Sequence, residues 1–279
     1  MHRPLTDAFT AAIKGSDGDV DLLNAALLIA GLGRPRIELA GYRKLLDILA
    51  SDVQKRAGEG AGPLPTVDAI DHELFYAQGF HGNASRYNDP ENSYLDRVIE
   101  RRTGIPITLS LVYMEVAKRV GLRCDGIGYP GHFIVRCGEP DDGIYVDPFH
   151  QGARLDREEL LAGLRGRDLG GASPESFLAA VTQRQILQRM LNNLRSVFCE
   201  QADIERWLGT VDLALCLEPW NTDLIGERGM LRYRLGAYDL ALDDLERYAG
   251  VNNGGPGHPA AFKILEALRE RLGRQEGLR

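Results

Sequence analysis

Between Val20 and Arg56 apolar residues recur every three to four positions in "DLLNAALLIAGLGRPRIELAGYRKLLDILASDVQKR", the period of a helix with one buried face. Gly33 and Pro35 interrupt the pattern, so the stretch predicts two helices. Asp19 or Asp21 would cap the first, and Tyr42, Leu45, Leu46 and Leu49 would form the apolar face of the second. The glycine- and proline-rich "AGEGAGPLP" reads as a loop, and a third helix is expected from Thr66 to Gln78. A polar segment of 14 residues, "GFHGNASRYNDPEN", precedes "SYLDRVIERR", where helical spacing resumes with Ser93 as the expected cap. Loops of that length inside a compact domain are commonly functional or held by their own side chains.

Pro106 suits the first turn of "ITLSLVYMEVAKRV", which closes at Gly121. Apolar residues run almost all round this helix, so it should be central and buried. Two β-rich runs, "GIGYPGHFIVRC" and "GIYVDPF", are joined by the turn signal "GEPDDG" and predict a hairpin. "LDREELLAGL" is a helix capped by Asp156, and "RGRDLGGASPES" is a loop near a domain boundary. From Gln183 onward five helical patterns follow one another. A 34-residue offset aligns Ala202 with Gly236 and Trp207 with Ala241, while "EPWN" and "GGPGHP" punctuate helix ends, in the manner of tetratricopeptide repeats. The expected organisation is an α+β domain over 1–182 and an all-α domain over 183–279 whose stacked helices offer an interaction surface.

Composition narrows the class. The 279 residues are 44% hydrophobic and 26% charged, and none of the apolar runs approaches the ~18 residues a membrane helix needs. The N-terminus lacks the pattern of a secretory signal. Cys124, Cys137, Cys199 and Cys216 form no CxxC pair, so neither a zinc knuckle nor a disulfide framework is expected, and a reducing cytoplasm fits best. A net charge of -7 argues against general binding to nucleic acid or anionic membranes.

Two motif resemblances fail on context. Gly126, Gly128 and Gly131 spell GxGxxG, but a strand-like segment follows instead of a helix. Asp17, Asp19 and Asp21 imitate a calcium loop, but Leu22 and Leu28 stand where glycine and glutamate are required. His132 and Asp147 carry more. If the hairpin turns around Pro140 to Asp142, position 137 faces 144 and 134 faces 147, leaving His132 one diagonal step from Asp147 on the same face. A carboxylate there would fix the imidazole's tautomer and raise its basicity, although the same bond could simply lock two strands. A nucleophile would come from the start of the central helix, where the only hydroxyls are Thr108 and Ser110 and no thiol is found.

"GFHGNASRYNDPENSYLDRVIERRTGIPITLSLVYMEVAKRVGL", "GIGYPGHFIVR" and "YVDPF" closely resemble the bacterial transglutaminase-like proteins grouped with an invasion-regulator homologue. "DLLNAALLIA" and "RQILQRMLNNLRSVF" resemble the same family, so the likeness covers nearly the whole chain. It implies a papain/transglutaminase-like core, with a central helix against a small antiparallel sheet and N-terminal helices, followed by tetratricopeptide-like helices. The wider superfamily uses a Cys–His–Asp triad. The resemblance carries over to His132 and Asp147, while Pro106 aligns with the cysteine. It therefore implies a remnant triad in a non-catalytic, cytoplasmic protein that binds a protein or peptide partner and uses no cofactor. The alternative is a hydrolase or acyltransferase using Ser110 or Thr108 with His132 and Asp147. A retained binding site would draw on Asn83, Tyr87, Asn92, Arg101, Arg102 and His132. Metal-ligand spacing does not accompany His132 and Asp147, so no metal is expected.

Overall fold

A computed structural model describes residues 3–34, 38–251 and 259–276. Pro35 and most of "GGPGHP" lie outside the described residues. Two compact units are present: one runs from Ala12 to Met190, and the other joins the residues up to Ala11 with those from Leu191 onward.

The first unit begins with α2 (Leu22–Ile29) and α3 (Leu39–Ala57). Asp21 caps α2 by accepting the Asn24 N–H at 3.1 Å, which satisfies one of the otherwise orphaned first-turn donors. Leu46, Leu49, Ala50 and Val53 form the buried face of α3. Leu45, expected on that face, is 38% exposed, because the buried stripe turns toward positions 50 and 53 instead. Next, α4 (Pro63–Asp71) starts inside the stretch read as loop, with Pro63 at its first position. It continues into a π-helical turn, His72–Ala77, which apolar spacing does not reveal.

The polar loop ends in α5 (Leu95–Arg101), whose cap position is Tyr94 and not Ser93. The central helix α6 (Pro106–Arg119) packs on α3, α4 and α5 and against the sheet. Its Leu109, Val112, Tyr113 and Val116 are all at most 2% exposed, as the continuous apolar surface required. A small parallel pair, β1 (His81–Gly82) and β2 (Thr103–Gly104), ties the polar loop to the entrance of α6. The main sheet is antiparallel in the order β3 (Cys124–Ile127), β4 (Ile134–Cys137), β5 (Ile144–Asp147), β6 (Ala153–Leu155).

The run "GIGYPGHFIVRC", read as one strand, is therefore two. Pro130 fixes its own φ, Gly131 takes φ +78°, and the His132 N–H donates to the Tyr129 carbonyl at 2.9 Å, closing a β-turn between β3 and β4. Cys137 does pair with Ile144 and Val135 with Val146, the expected register. Cys124 and Cys137 face each other across β3 and β4 and are joined as a disulfide. This corrects the expectation drawn from the missing CxxC pair, because strand pairing brings together cysteines 13 residues apart. Asp156 caps α7 (Arg157–Ala162) through the Glu158 and Glu159 N–H groups.

The second unit contains α1 (Arg3–Ala12), a helix the spacing argument did not include. The helix α8 (Gln183–Glu200) runs across the boundary between the units. It is followed by α9 (Ile204–Leu217), α10 (Thr222–Arg234), α11 (Tyr238–Val251) and α12 (Pro259–Glu276). Ala241, Leu245 and Tyr248 of α11 meet Ala261, Leu265 and Leu268 of α12 in one core. Gly226 and Gly229 let α10 approach α11, since a Cβ at either would come within 2.7 Å of Tyr248 or Leu245. Buried Asp244 accepts a two-pronged contact from Arg228, at 2.9 and 2.7 Å, and a third bond from Arg232 at 2.6 Å. None of the helices among the described residues is long and apolar enough to cross a membrane.

Candidate functional site

Asp147 is the last residue of β5 and the cap of the single turn Pro148–His150. Its Oδ1 accepts the Phe149 and His150 N–H groups at 3.0 and 3.2 Å, so the carboxylate is aimed by the backbone that follows it. Oδ2 points at two imidazoles, His132 Nε2 and His150 Nδ1, each at 2.7 Å. Burial pulls the Asp147 carboxyl upward, yet the bonds from the two histidines hold it below the ordinary carboxylate range. Asp147 is 4% exposed, whereas the His132 and His150 side chains are 23% and 64% exposed.

His132 enters from the turn between β3 and β4. Its carbonyl accepts a bond from Arg189 Nη2 at 2.9 Å, and that guanidinium also lies 5.4 Å from the Phe133 ring centre. Burial lowers the Arg189 pKa, with Tyr87 opposing the shift. In turn, burial raises the Tyr87 phenol against the pull of Arg189. Phe149 stands edge-on to His132 at 6.1 Å and to Tyr87 at 6.3 Å. It also closes over Gly82, where a Cβ would come within 2.5 Å of its ring and 2.7 Å of its carbonyl oxygen.

The start of α6 offers the His–Asp pair no hydrogen-bonded nucleophile. Thr108 is fully buried, with Oγ1 2.8 Å from the Asn92 carbonyl and 3.1 Å from both the Ile105 carbonyl and the Ile105 N–H. This hydroxyl caps the helix and pins the loop to it. Ser110 is fully buried too, and its Oγ donates to the Phe133 carbonyl at 3.4 Å. Pro106 is buried at the first helical position.

Most of the loop residues singled out in the sequence are occupied within the loop. Asn83 accepts the Arg86 N–H at 3.0 Å and donates to Asn92 at 3.1 Å, while Asn92 donates to the Arg86 carbonyl at 2.7 Å. Arg101 reaches Asp89 at 3.4 Å. Arg102 takes a left-handed conformation after α5, and its carbonyl accepts the His81 N–H at 2.9 Å. Only Tyr87 and His132 of that set stand against Phe149. Sequence reasoning missed His150, Arg189, Phe149 and Gly82. The spacing Asp-x-x-His could have exposed His150, since three residues make one tight turn, but Arg189 follows His132 by 57 residues and carried no local signal.

A separate cavity of ≈ 700 Å³ lies in the unit beyond Leu191, with Asn192, Arg195, Trp207, Glu227, Arg234 and Tyr248 on its wall. Two acids line it, Asp223 and Glu227, and Glu227 accepts a bond from Trp207 Nε1 at 2.5 Å and pairs with Arg195 at 3.2 Å. The Arg234 guanidinium lies 6.0 Å from the Trp207 ring centre.

The family model described as "Transglutaminase-like superfamily" matches residues 40–192, which include the central helix, the sheet and both members of the His132–Asp147 pair. The chain belongs to the transglutaminase-like superfamily. A second model, "Tetratricopeptide repeat", matches residues 194–273. A UPF0162 protein of Xylella fastidiosa is 38% identical over 239 residues, covering 83% of this chain and 84% of the relative. One from Vibrio cholerae is 29% identical, covering 63% of this chain and 66% of its own length. F-box only protein 21 of Mus musculus is 28% identical over 227 residues, 75% of this chain but 35% of that protein. No solved structure matches. The expected α+β core followed by repeat helices is thus what this transglutaminase-like chain has, and that pairing of domains suggests a protein-interaction module.

Proposed function

We propose that this transglutaminase-like protein is non-catalytic and binds a protein or peptide partner, in the cytoplasm and without nucleic acid. The observation that carries the reading is chemical: His132 keeps its orienting Asp147, but the Thr108 and Ser110 hydroxyls at the start of the central helix are buried and bonded to main chain. A thiol or an accessible hydroxyl within reach of the imidazole is what acyl transfer requires. The aromatic and arginine-lined cavity beyond Leu191 supplies the binding surface in this reading.

Two measurements test it. A fluorophosphonate or acyl-probe assay on the full chain should give no covalent labelling; labelling that disappears in Ser110→Ala or His132→Ala would overturn the non-catalytic reading. Affinity purification from the source cells should recover a partner that Trp207→Ala together with Arg234→Glu loses while the fold is retained. An identical partner set for both proteins would count against the cavity as the binding surface.

A further inference from the structure

We propose that His132, Asp147 and His150 hold one divalent transition-metal ion, with Zn²⁺ the simplest occupant. This inference is independent of partner binding.

The donor set comes first. Two imidazoles and one carboxylate are borderline-to-hard ligands that suit Zn²⁺, Co²⁺ or Ni²⁺, and three protein ligands leave further coordination positions for water or an added group. One ligand atom from each residue lies within 4.8 Å of the other two. Both nitrogens are 2.7 Å from the same oxygen, Asp147 Oδ2. Ligand atoms around an ion with bonds of about 2.0–2.1 Å sit roughly 3.0–3.5 Å apart, so admitting the ion asks each nitrogen to draw back from Oδ2 by a few tenths of an ångström and the two nitrogens, within 4.8 Å of each other, to settle at the same spacing.

The carboxylate is already oriented for this. The Phe149 and His150 N–H groups fix Oδ1 and leave Oδ2 turned to both imidazoles, the kind of outer-sphere support that metal-binding carboxylates have. Orienting His132 as a base would need Asp147 alone, so the second imidazole on the same oxygen has no part in a His–Asp pair. The exposed His150 side chain places the open side of the cluster toward solvent. Binding would move the ring proton of His132 from Nε2 to Nδ1 and that of His150 from Nδ1 to Nε2, freeing a lone pair on each ligating nitrogen. Arg189, bonded to the His132 carbonyl, adds a positive charge on the same turn, which weakens cation binding and favours an anion on the metal's open position.

The test uses the full chain, stripped with a chelator and alkylated so that the exposed Cys199 cannot contribute. Zn²⁺ titration by calorimetry should give one ion per chain, and Co²⁺ should give a visible ligand-field spectrum. His150→Ala, at an exposed position outside the core, should keep its circular dichroism and lose affinity by more than the about 10–100-fold typical of losing an outer-sphere partner. His132→Gln should lose it likewise, whereas His81→Ala, whose imidazole contacts Thr103 and the Gly79 carbonyl, should bind as the wild type does. No uptake by the wild type, uptake unchanged in folded His150→Ala and His132→Gln, or equal loss in His81→Ala would overturn the proposal.

Discussion

Asp147 does three things with two oxygens: it caps the turn that follows it, fixes His132 and holds His150. The site is consequently stiff, and its stiffness depends on a residue with no side chain. Gly82 lies under Phe149 at a distance no Cβ could occupy. Gly82→Ala should therefore cost about 1–3 kcal/mol of stability, the usual range for overpacking, read as a lowered urea midpoint. The same variant should shift the aromatic NMR signals of Phe149 and Tyr87. Charge at a single cap is also testable. Asp203 caps α9 through the Arg206 N–H and pairs with the Arg206 side chain. Burial raises its pKa, but those bonds leave it lowered overall. Since the folded-state value lies below the unfolded one of about 3.9, the stabilisation is complete above that pH and is lost as pH falls through the folded value. Asn also caps helices well, so Asp203→Asn isolates the charge. Urea midpoints of the wild type and the variant should differ at neutral pH and converge below about pH 3.9.

At the scale of elements, two pairings decide how the units hold. Asp244 on α11 takes three bonds from Arg228 and Arg232 of α10 at a position only 4% exposed. Removing the anion leaves two partly buried guanidinium groups with only the longer contacts to Asp212, at 3.5 and 3.8 Å. Asp244→Ala should therefore cost about 3–5 kcal/mol, measured by thermal or chemical unfolding of the full chain. In the sheet, Cys124 and Cys137, 13 positions apart in sequence, join β3 to β4. Closing a loop of that size stabilises by roughly 3 kcal/mol in the chain-entropy account. Unfolded, unreduced protein should then show two reactive thiols, Cys199 and Cys216, and four after reduction. Four before reduction would mean that the pair stays open as purified, as a reducing compartment favours.

At the scale of the whole molecule, the helix at the start of the chain belongs with the repeat helices at its end. Thr10 bonds the Cys216 thiol, which otherwise donates to the Asp212 carbonyl at 3.3 Å, and burial raises that thiol's pKa. Deleting residues 1–11 should accelerate alkylation of Cys216 in the native protein; an unchanged rate would detach α1 from that unit. Apolar periodicity by itself determined α3, α6 and the helices from α8 to α12, because each needs one buried face or, for α6, burial all round. The turn signal, with the hairpin turning around Pro140 to Asp142, also pointed to the register of β4 with β5 that pairs Cys137 with Ile144, although a shift of one residue was equally open to the sequence. The resemblance in the ordered blocks marked His132 and Asp147 as a pair. What only the tertiary structure decided were contacts between residues that no local period links. The Cys124–Cys137 bond, the Arg189 hold on the His132 carbonyl and the Gly82 seat for Phe149 are of this kind. So is the loss of Asn83 and Asn92 to their own loop, since a polar side chain looks the same in sequence whether it meets a ligand or the backbone beside it. Hydrophobic burial repeats along the chain and is legible there; hydrogen-bond and ligand geometry arises between distant segments and exists only once the chain has folded.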